Sequence, residues 1–432
     1  MKPSIILFLS VILLLSCKKE EQARVTEETL LASLNGLENV IAQELDPVNG
    51  YARLFAIDLT LPVDHNNPDG AKFVQRMYLS HTSLEAPMVL HLSGYTGSRS
   101  RVIELCATLS ANQLHIPHRG YEEALIEPMQ WEYLSIEQAA ADNHVIVELL
   151  KTIYKGEWIS TGVSKGGMTA LFLEYLYPED AEVVVAYVAP MISGYPDERI
   201  WEFVHELGVD TVWAGIREFQ RILLENRDSS LHYFEEYADI RNITFTRVDM
   251  ETALEMGVME YAIYLWQYRS GDPYFYQTED ITLREIFGRW VRIAYPDYYS
   301  DQLQLFSNLF YYQAFTEFGY YDLDDTPVAD LLQSADRDGL KLFIPDGVET
   351  EPDFAKMDRI TEWLESSGER IIYIYGGVDP WTAGAVSPDP ELDALRVIQP
   401  GANHRVNIQE CDDKSLVYDK LDEWLDAPVN RL

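Results

Sequence analysis

The amino-acid sequence predicts an α/β fold built on a mostly parallel β-sheet, with a block of helices inserted into it. Short apolar runs rich in β-branched residues, such as 182–188 and 370–375, alternate with segments whose apolar residues recur at helical spacing. That alternation stops at 191–338, where long amphipathic segments rich in Trp, Tyr and Phe follow one another. We therefore expect a sheet in two parts, 50–190 and 339–432, with a helical cap between them.

The start of the chain is typical of an export signal. An apolar run at 5–15, preceded by a lysine, is too short to span a bilayer. The four residues ending at Cys17, LLSC, resemble a bacterial lipobox, in which the cysteine becomes the lipidated first residue; an ordinary cleaved secretory signal is the alternative. We predict a signal peptide at 1–16, a polar tether and leader at 17–49, and lipid anchoring to the outer membrane of the cell envelope, on its periplasmic or its outer side.

The composition argues against several classes of function. The 432 residues include 33 basic and 71 acidic side chains, and the net charge of −38 repels nucleic acid. The expected membrane contact is through the lipid anchor only. Cys106 and Cys411 either form a disulfide or stay as free buried thiols. Because the sequence has no C-x-x-C motif and no cluster of cysteines and histidines, we expect no metal and no other cofactor.

The first half of the sheet can be followed through its turns. Residues 51–61 and 72–79 are β-compatible and flank a cluster of turn residues, which predicts an antiparallel pair. An apolar strand is predicted at 86–92 and ends in a loop that contains glycine. A helix predicted at about 136–153, with Ser135 as its N-cap, leads to the next strand.

The most informative stretch is 157–170, EWISTGVSKGGMTA. A β-branched run meets G-V-S-K-G-G and a helical segment follows, which is the strand, sharp turn and helix of a nucleophile elbow, G-x-S-x-G. Ser164 is the predicted nucleophile, because glycines leave space for a strained turn. An α/β-hydrolase takes one oxyanion donor from the residue after the nucleophile, here Lys165, and one from the loop after the third strand, where Gly94 and Tyr95 stand. Ordinary glycine turns are the alternative.

The acid and the base of a triad are predicted at the ends of two later strands. Asp379 follows the run at 370–375 and His404 follows the run at 395–398, in the chain order Ser, acid, His of an α/β-hydrolase. Of the nine histidines, six precede the elbow and two fall in the predicted cap, which leaves His404. Asp346 also follows an apolar run and is the alternative acid, but the strand directly before the histidine strand normally supplies it. The predicted fold is thus an α/β-hydrolase with an inserted helical cap.

Five segments together match a known family. They are PVDHNNPDGAKFVQRMYLSH (62–81), WEYLSIEQAAADNHVIVELL (131–150), GEWISTGVSKGGMTA (156–170), VVVAYVAP (183–190) and YGGVDPWTAGA (375–385). These segments resemble the secreted tripeptidyl aminopeptidases, the prolyl tri- and tetrapeptidyl family of serine peptidases, over about 61–190 and about 311–404. The resemblance implies removal of short peptides from free N-termini, often after proline, by acyl transfer through Ser164, His404 and Asp379.

Such an exopeptidase also has to bind the ammonium group of its substrate, and a carboxylate in the cap is the expected partner. Glu317 is our candidate, with a structural role as the alternative. Trp381, two residues after the predicted acid, is expected to pack against a proline ring or, alternatively, within the core. Because fold and triad do not choose the acyl substrate, an esterase or amide hydrolase is a second hypothesis. A lipoprotein that binds peptides without turnover is a third.

Overall fold

One nine-stranded β-sheet runs through the part of the chain that the computed structural model describes, residues 25–48, 50–97 and 102–432. Its strands are β1 (Val40–Leu45), β2 (Arg53–Pro62), β3 (Lys72–His81), β4 (Met88–Leu92), β5 (Asn112–Ile116), β6 (Trp158–Val163), β7 (Val183–Tyr187), β8 (Ile371–Gly376) and β9 (Leu395–Gln399). Their spatial order is β1-β2-β3-β5-β4-β6-β7-β8-β9. The pairs from β1 to β5 along this order are antiparallel, and those from β5 to β9 are parallel.

The described residues also form α-helices, which come before, between and after the strands along the chain. They are α1 (Leu30–Leu34), α2 (Glu104–Leu109), α3 (Ile136–Leu150), α4 (Lys165–Leu176), α5 (Arg199–Glu206), α6 (Asp210–Glu225), α7 (Arg227–Arg241), α8 (Met250–Met259), α9 (Tyr261–Arg269), α10 (Leu283–Ala294), α11 (Gln304–Gln313), α12 (Ala355–Ser366) and α13 (Lys414–Trp424). Ser135 caps α3 as predicted, because its hydroxyl accepts the N–H of Gln138. Helices α5 to α11 fall in the block predicted as the cap.

Helices cover both faces of the parallel strands, which explains why those strands are apolar. Every residue of β4, β7 and β8 is buried. Alternate residues of a strand point to opposite faces, so Ile371 and Tyr373 join the layer of α3, α4 and α12. Ile372 and Ile374 instead join the layer of α2 and α13. This parallel sheet between two helical layers confirms the predicted α/β-hydrolase fold.

The inserted helices have an apolar core of their own, which includes Phe219, Leu254 and Trp290. Two segments, 198–225 and 251–268, have continuous helical spacing in the sequence, but each forms two helices in the structure. Gly208 separates α5 from α6, and its φ of +74° is a left-handed conformation that ends a helix. The second division is at Glu260, where α8 ends and α9 begins.

Part of the predicted N-terminal tether is folded, which corrects the expectation for 17–49. Residues 25–48 contain α1 and β1, and β1 extends the sheet by pairing with β2. The strand looks polar in sequence because it lies at the sheet edge and buries only Ala42. Cys17 and the predicted signal peptide lie outside the described residues. Within the described ranges, no helix is long and apolar enough to cross a membrane.

The two cysteines of the body are free thiols, so the disulfide alternative is excluded. Cys106 and Cys411 are both buried, in the apolar layer that also contains α2 and α13. Burial raises the pKa of Cys106 to about 12 and that of Cys411 to about 11. Both thiols therefore stay protonated at neutral pH and contribute to packing.

Strand β6 passes into α4 through a turn that has no space for side chains. A Cβ atom on Gly162 would lie 2.2 Å from the carbonyl carbon of Gly166, and one on Gly166 would lie 2.4 Å from the carbonyl oxygen of Leu92. Both distances are far below van der Waals contact. The glycines therefore allow the start of α4 to pack directly against β6 and β4.

We predict that Gly162→Ala destabilises the protein by about 2–3 kcal/mol, because the added methyl group forces this turn apart. Gly288→Ala is the matched control: Gly288 lies within α10, and a Cβ there meets nothing within 4 Å. Alanine favours a helix over glycine by about 1 kcal/mol, so this variant should be as stable as wild type or more so. Denaturant unfolding measures both effects, and wild-type stability of Gly162→Ala would contradict the packing.

Candidate active site

Ser164 holds a strained backbone at the turn between β6 and α4. Its φ of 58° and ψ of −126° lie in a region that L-residues rarely adopt, at a cost of about 1–3 kcal/mol. Two hydrogen bonds fix the turn: Ser164 N–H donates to Tyr187 O at 2.8 Å, and Met168 N–H donates to Ser164 O at 3.0 Å. The turn brings the serine to the carboxyl end of the sheet, where it lines a cleft.

Asp379 and His404 lie on the loops that follow β8 and β9, and the structure brings them into contact. His404 Nδ1 lies 2.7 Å from Asp379 Oδ2. Asp379 is fully buried, and its other oxygen accepts the backbone N–H of Trp381 at 3.4 Å. A carboxylate at this distance keeps the imidazole proton on Nδ1 and leaves Nε2 free to accept one.

The cap holds the loop that carries the histidine. His404 N–H donates to Gln267 O at 3.1 Å. The imidazole also meets the ring of Tyr268 edge-on, with centroids 6.2 Å apart and planes at 90°. Gln267 and Tyr268 both belong to α9, and His404 lines the same cleft as Ser164. Helix α9 therefore helps to set the position of the imidazole beside the cleft.

Among the described residues, the alternative acid lies away from the sheet and no cluster suits a metal ion. The side chain of Asp346, the alternative acid, is 97% exposed and lies 3.6 Å from Arg247. The apolar run before it forms a 3₁₀-helix (Gly339–Phe343), so the sheet does not direct this carboxylate. Among the residues that the structure describes, no group of three or more His, Cys, Asp or Glu side chains is arranged to hold a metal ion.

The predicted oxyanion donors surround the serine turn. Lys165 is the first residue of α4, where N–H groups have no partner within the helix. Gly94 lies so close that a Cβ on it would be 2.5 Å from Lys165 Cβ. The N–H of Tyr95 donates to Ser93 Oγ at 3.1 Å. Of the three predicted donors, the Tyr95 N–H is therefore already engaged in a hydrogen bond within its own loop.

The side chain of Lys165 is a feature that sequence reasoning missed. Its ammonium donates to Gly94 O at 2.7 Å and lies 5.4, 5.2 and 5.7 Å from the ring centroids of Tyr95, Tyr121 and Phe318. Aromatic faces attract a cation at such distances. Burial lowers the pKa of Lys165 to about 7. The ammonium fixes the loop that carries Gly94 against the serine turn.

The cleft lies between the core and the cap and is mostly aromatic. Its volume is about 430 Å³, and the core contributes Ser164, Lys165, Trp381 and His404 to its walls. The cap contributes a set of aromatic rings: Tyr264, Tyr268, Tyr298, Phe306, Phe310, Tyr311 and Tyr320. The indole of Trp381 packs against Tyr320 with ring centroids 5.5 Å apart. Trp381 therefore stands in the cleft wall, with its ring supported from the cap side.

Glu317 does not reach this cleft, which corrects its expected contact with the substrate. It lies in a π-helical turn (Ala314–Phe318) and is only 5% exposed. Its carboxylate accepts from Lys356 Nζ at 2.7 Å and from the Ile136 N–H at 3.0 Å. Because Lys356 already neutralises it, Glu317 joins α12 to α3 and is not available to an ammonium group in the cleft.

The chain matches known proteins in sequence and in structure. The chain is 28% identical over 391 residues to the prolyl tri/tetrapeptidyl aminopeptidase of Streptomyces mobaraensis, covering 88% of this chain and 82% of that protein. Two similar solved structures are VinJ (13% identity, TM-score 0.42, 85% of this chain and 99% of that one) and the proline iminopeptidase of Mycobacterium smegmatis (11%, 0.38, 85% and 98%). A family model described as PS-10 peptidase S37 matches residues 21–429. The chain therefore belongs to the PS-10 peptidase S37 family and is a serine peptidase.

Proposed function

We propose that this protein is an exported, lipid-anchored exopeptidase that releases tri- or tetrapeptides from free N-termini, with proline before the scissile bond. The observation that carries the proposal is the 2.7 Å contact between Asp379 and His404 Nδ1, beside a cleft lined by both His404 and Ser164. The printed name of the Streptomyces mobaraensis relative, a prolyl tri/tetrapeptidyl aminopeptidase, supports this substrate class.

Acylation begins when Ser164 Oγ attacks the scissile carbonyl carbon and His404 Nε2 takes the hydroxyl proton. Asp379 keeps the other imidazole proton on Nδ1 and stabilises the imidazolium that forms. His404 then gives its proton to the leaving amine, and the C–N bond breaks. The N-terminal segment is now esterified to Ser164, and the shortened peptide leaves.

The oxyanion of each tetrahedral intermediate needs N–H donors that are already in place. Lys165 N–H supplies one and Gly94 N–H the second, since the Tyr95 N–H is engaged with Ser93 Oγ; one such donor contributes on the order of 100-fold to the rate. The Lys165 ammonium, bonded to Gly94 O, holds the second donor loop in position. In deacylation, His404 Nε2 takes a proton from water as the water oxygen attacks the ester carbonyl. His404 then returns the proton to Ser164 Oγ as the ester C–O bond breaks, and the tri- or tetrapeptide leaves.

The aromatic lining of the cleft supports a preference for proline. A proline ring is rigid and apolar, and it loses little conformational entropy when it packs on a flat indole. Trp381 offers such a face within the cleft wall, two residues after Asp379 and supported by Tyr320. The cap lines the cleft on the side opposite the core, which suits a short N-terminal segment better than the middle of a long chain.

The lipobox-like sequence that ends at Cys17 supports the proposed lipid anchor. We expect Cys17→Ser to release the protein from membranes into the soluble fraction without loss of peptidase activity, because the substitution removes only the thiol that carries the lipid. Membrane fractionation with metabolic labelling by a radioactive fatty acid measures this. If the serine variant still incorporates the label, lipidation at Cys17 is wrong.

We predict that Asp379→Asn lowers kcat by about 10⁴-fold with little change in stability, because an amide no longer holds the required imidazole tautomer. Asp346→Asn is the matched control, since that carboxylate is 97% exposed and lies beside Arg247, and its kcat should equal that of wild type. Hydrolysis of a peptide p-nitroanilide measures both variants. A large loss in Asp346→Asn, or none in Asp379→Asn, would reverse the choice of acid.

We predict that N-acetylation of the substrate abolishes cleavage. The peptides to compare have proline at position two, three or four and carry either a free or an acetylated N-terminus. Mass spectrometry of the products should detect N-terminal tri- or tetrapeptides from the free forms alone, because an acetylated end carries no ammonium charge. Cleavage that survives acetylation contradicts an exopeptidase, and turnover restricted to esters indicates an esterase instead.

A further inference from the structure

We propose that Glu260 is the carboxylate that binds the α-ammonium group of the substrate, acting through the hydroxyl groups of Tyr321 and Tyr320. The proposal rests on the aminopeptidase function proposed above and names the residues that would recognise the free N-terminus. Glu260 takes the role that the sequence analysis assigns to Glu317, because the charge of Glu317 is already paired with Lys356.

Glu260 is a buried carboxylate without a basic partner. It is 0% exposed, and no Lys, Arg or His of the described ranges forms an ion pair with it. The other buried carboxylates of comparable depth have one: Asp142 pairs with Arg119, and Glu255 pairs with Arg227. Burying a charge without a counter-ion is costly. A site that keeps such a group next to a cleft is suited to a cation that arrives with a ligand.

Two phenols connect Glu260 to the cleft. Tyr321 OH donates to Glu260 Oε1 at 2.5 Å. Tyr320 OH lies 3.5 Å from Tyr321 OH and donates towards it, and Tyr320 lines the cleft. In this row of hydrogen bonds, each hydroxyl group donates its proton in the direction of the Glu260 carboxylate. The lone pairs of Tyr320 Oη are therefore left to accept a hydrogen bond from an ammonium group. The hydrogen bonds therefore all run in the direction that a cation in the cleft favours.

The groups that face Glu260 are tyrosines from several elements of the cap. Tyr299 OH donates to its second oxygen, Oε2. Burial raises the pKa of the phenol groups around Glu260, and the charge of the carboxylate raises it further. These phenol groups belong to Tyr264, Tyr299, Tyr311, Tyr320 and Tyr321. All of these phenols are neutral at physiological pH. The negative charge that would attract an ammonium at this wall of the cleft is therefore that of Glu260.

This arrangement makes substrate binding depend on pH. Burial raises the pKa of the Glu260 carboxyl to about 7, so the group is only partly ionised at neutral pH. A nearby ammonium favours the charged form. By linkage, KM for a free-amine peptide should fall as the pH rises from about 6 to about 8, while Glu260 ionises; above about 8 the peptide amine loses its own proton and KM rises again.

The test compares two substrates, Ala-Ala-Pro-p-nitroanilide and its des-amino analogue, propionyl-Ala-Pro-p-nitroanilide. Glu260→Gln should raise KM for the free amine by about 10-fold or more with kcat nearly unchanged, since a hydrogen-bonded charge contributes about 1.5–3 kcal/mol. Activity on the des-amino analogue should stay the same. For the free amine, the fall in KM between about pH 6 and about pH 8 should become smaller and leave only the part due to Lys165, which lines the cleft and has a pKa of about 7. Because both substrates are cleaved by the same triad, a change that affects only the chemical step alters both equally and leaves the ratio between them unchanged.

Two further variants complete the design. Tyr321→Phe removes the link between carboxylate and cleft, so it should reduce the preference for the free amine even if Glu260→Gln folds poorly. Glu174→Gln is the matched control, because Glu174 is a buried acid on α4 whose pKa burial also raises, to about 8, and it does not line the cleft. Its preference should equal that of wild type.

The outcomes separate this proposal from the function on which it rests. A wild-type enzyme that hydrolyses both substrates equally well contradicts the aminopeptidase and, with it, the ammonium site. A wild type that prefers the free amine, together with folded Glu260→Gln and Tyr321→Phe variants that keep the full preference, overturns the role of Glu260 alone. Loss of preference in Glu174→Gln as well would assign the effect to a general change in the fold.

Discussion

The whole site depends on the absence of free space around the turn at Ser164. Cβ atoms on Gly162, Gly166 and Gly94 would collide with neighbouring backbone or with the Lys165 side chain. The end of β6, the start of α4 and the loop after β4 are locked together as a result. A serine backbone with φ of 58° persists because the surrounding contacts leave it no alternative. Packing therefore sets the hydroxyl and its neighbouring N–H donors before any substrate binds.

Helix α9 links Glu260 to the loop that carries His404. Glu260 stands immediately before its first residue, whereas Gln267 and Tyr268 near its last turn hold His404. A helix of this length is a stiff rod of about 13 Å. Under the functions proposed above, the element that binds the ammonium group of the substrate also positions the general base. The cap is then part of the catalytic machinery as well as a cover for the cleft.

The fold and the three polar side chains at the strand ends can be predicted from the sequence because their signals are local. Ser164 sits in a short motif, and Asp379 and His404 each follow a recognisable strand. A partner that lies far along the chain cannot be predicted in this way: nothing in the sequence around Glu317 indicates its ion pair with Lys356, 39 positions away. Glu260 lies within a segment of continuous helical spacing and belongs to no distinctive motif. Its burial becomes evident only in the folded protein, where Tyr299 and Tyr321 surround it.

The most direct test of the central claim is covalent labelling of the protein with a fluorophosphonate, followed by peptide mass spectrometry. An activated serine attacks the phosphorus, expels fluoride and keeps the phosphonyl group. The account predicts one labelled residue, Ser164, with labelling slowed strongly in His404→Gln. Labelling at another residue, or equal labelling rates in wild type and His404→Gln, would contradict the arrangement of hydroxyl, imidazole and carboxylate on which the function depends.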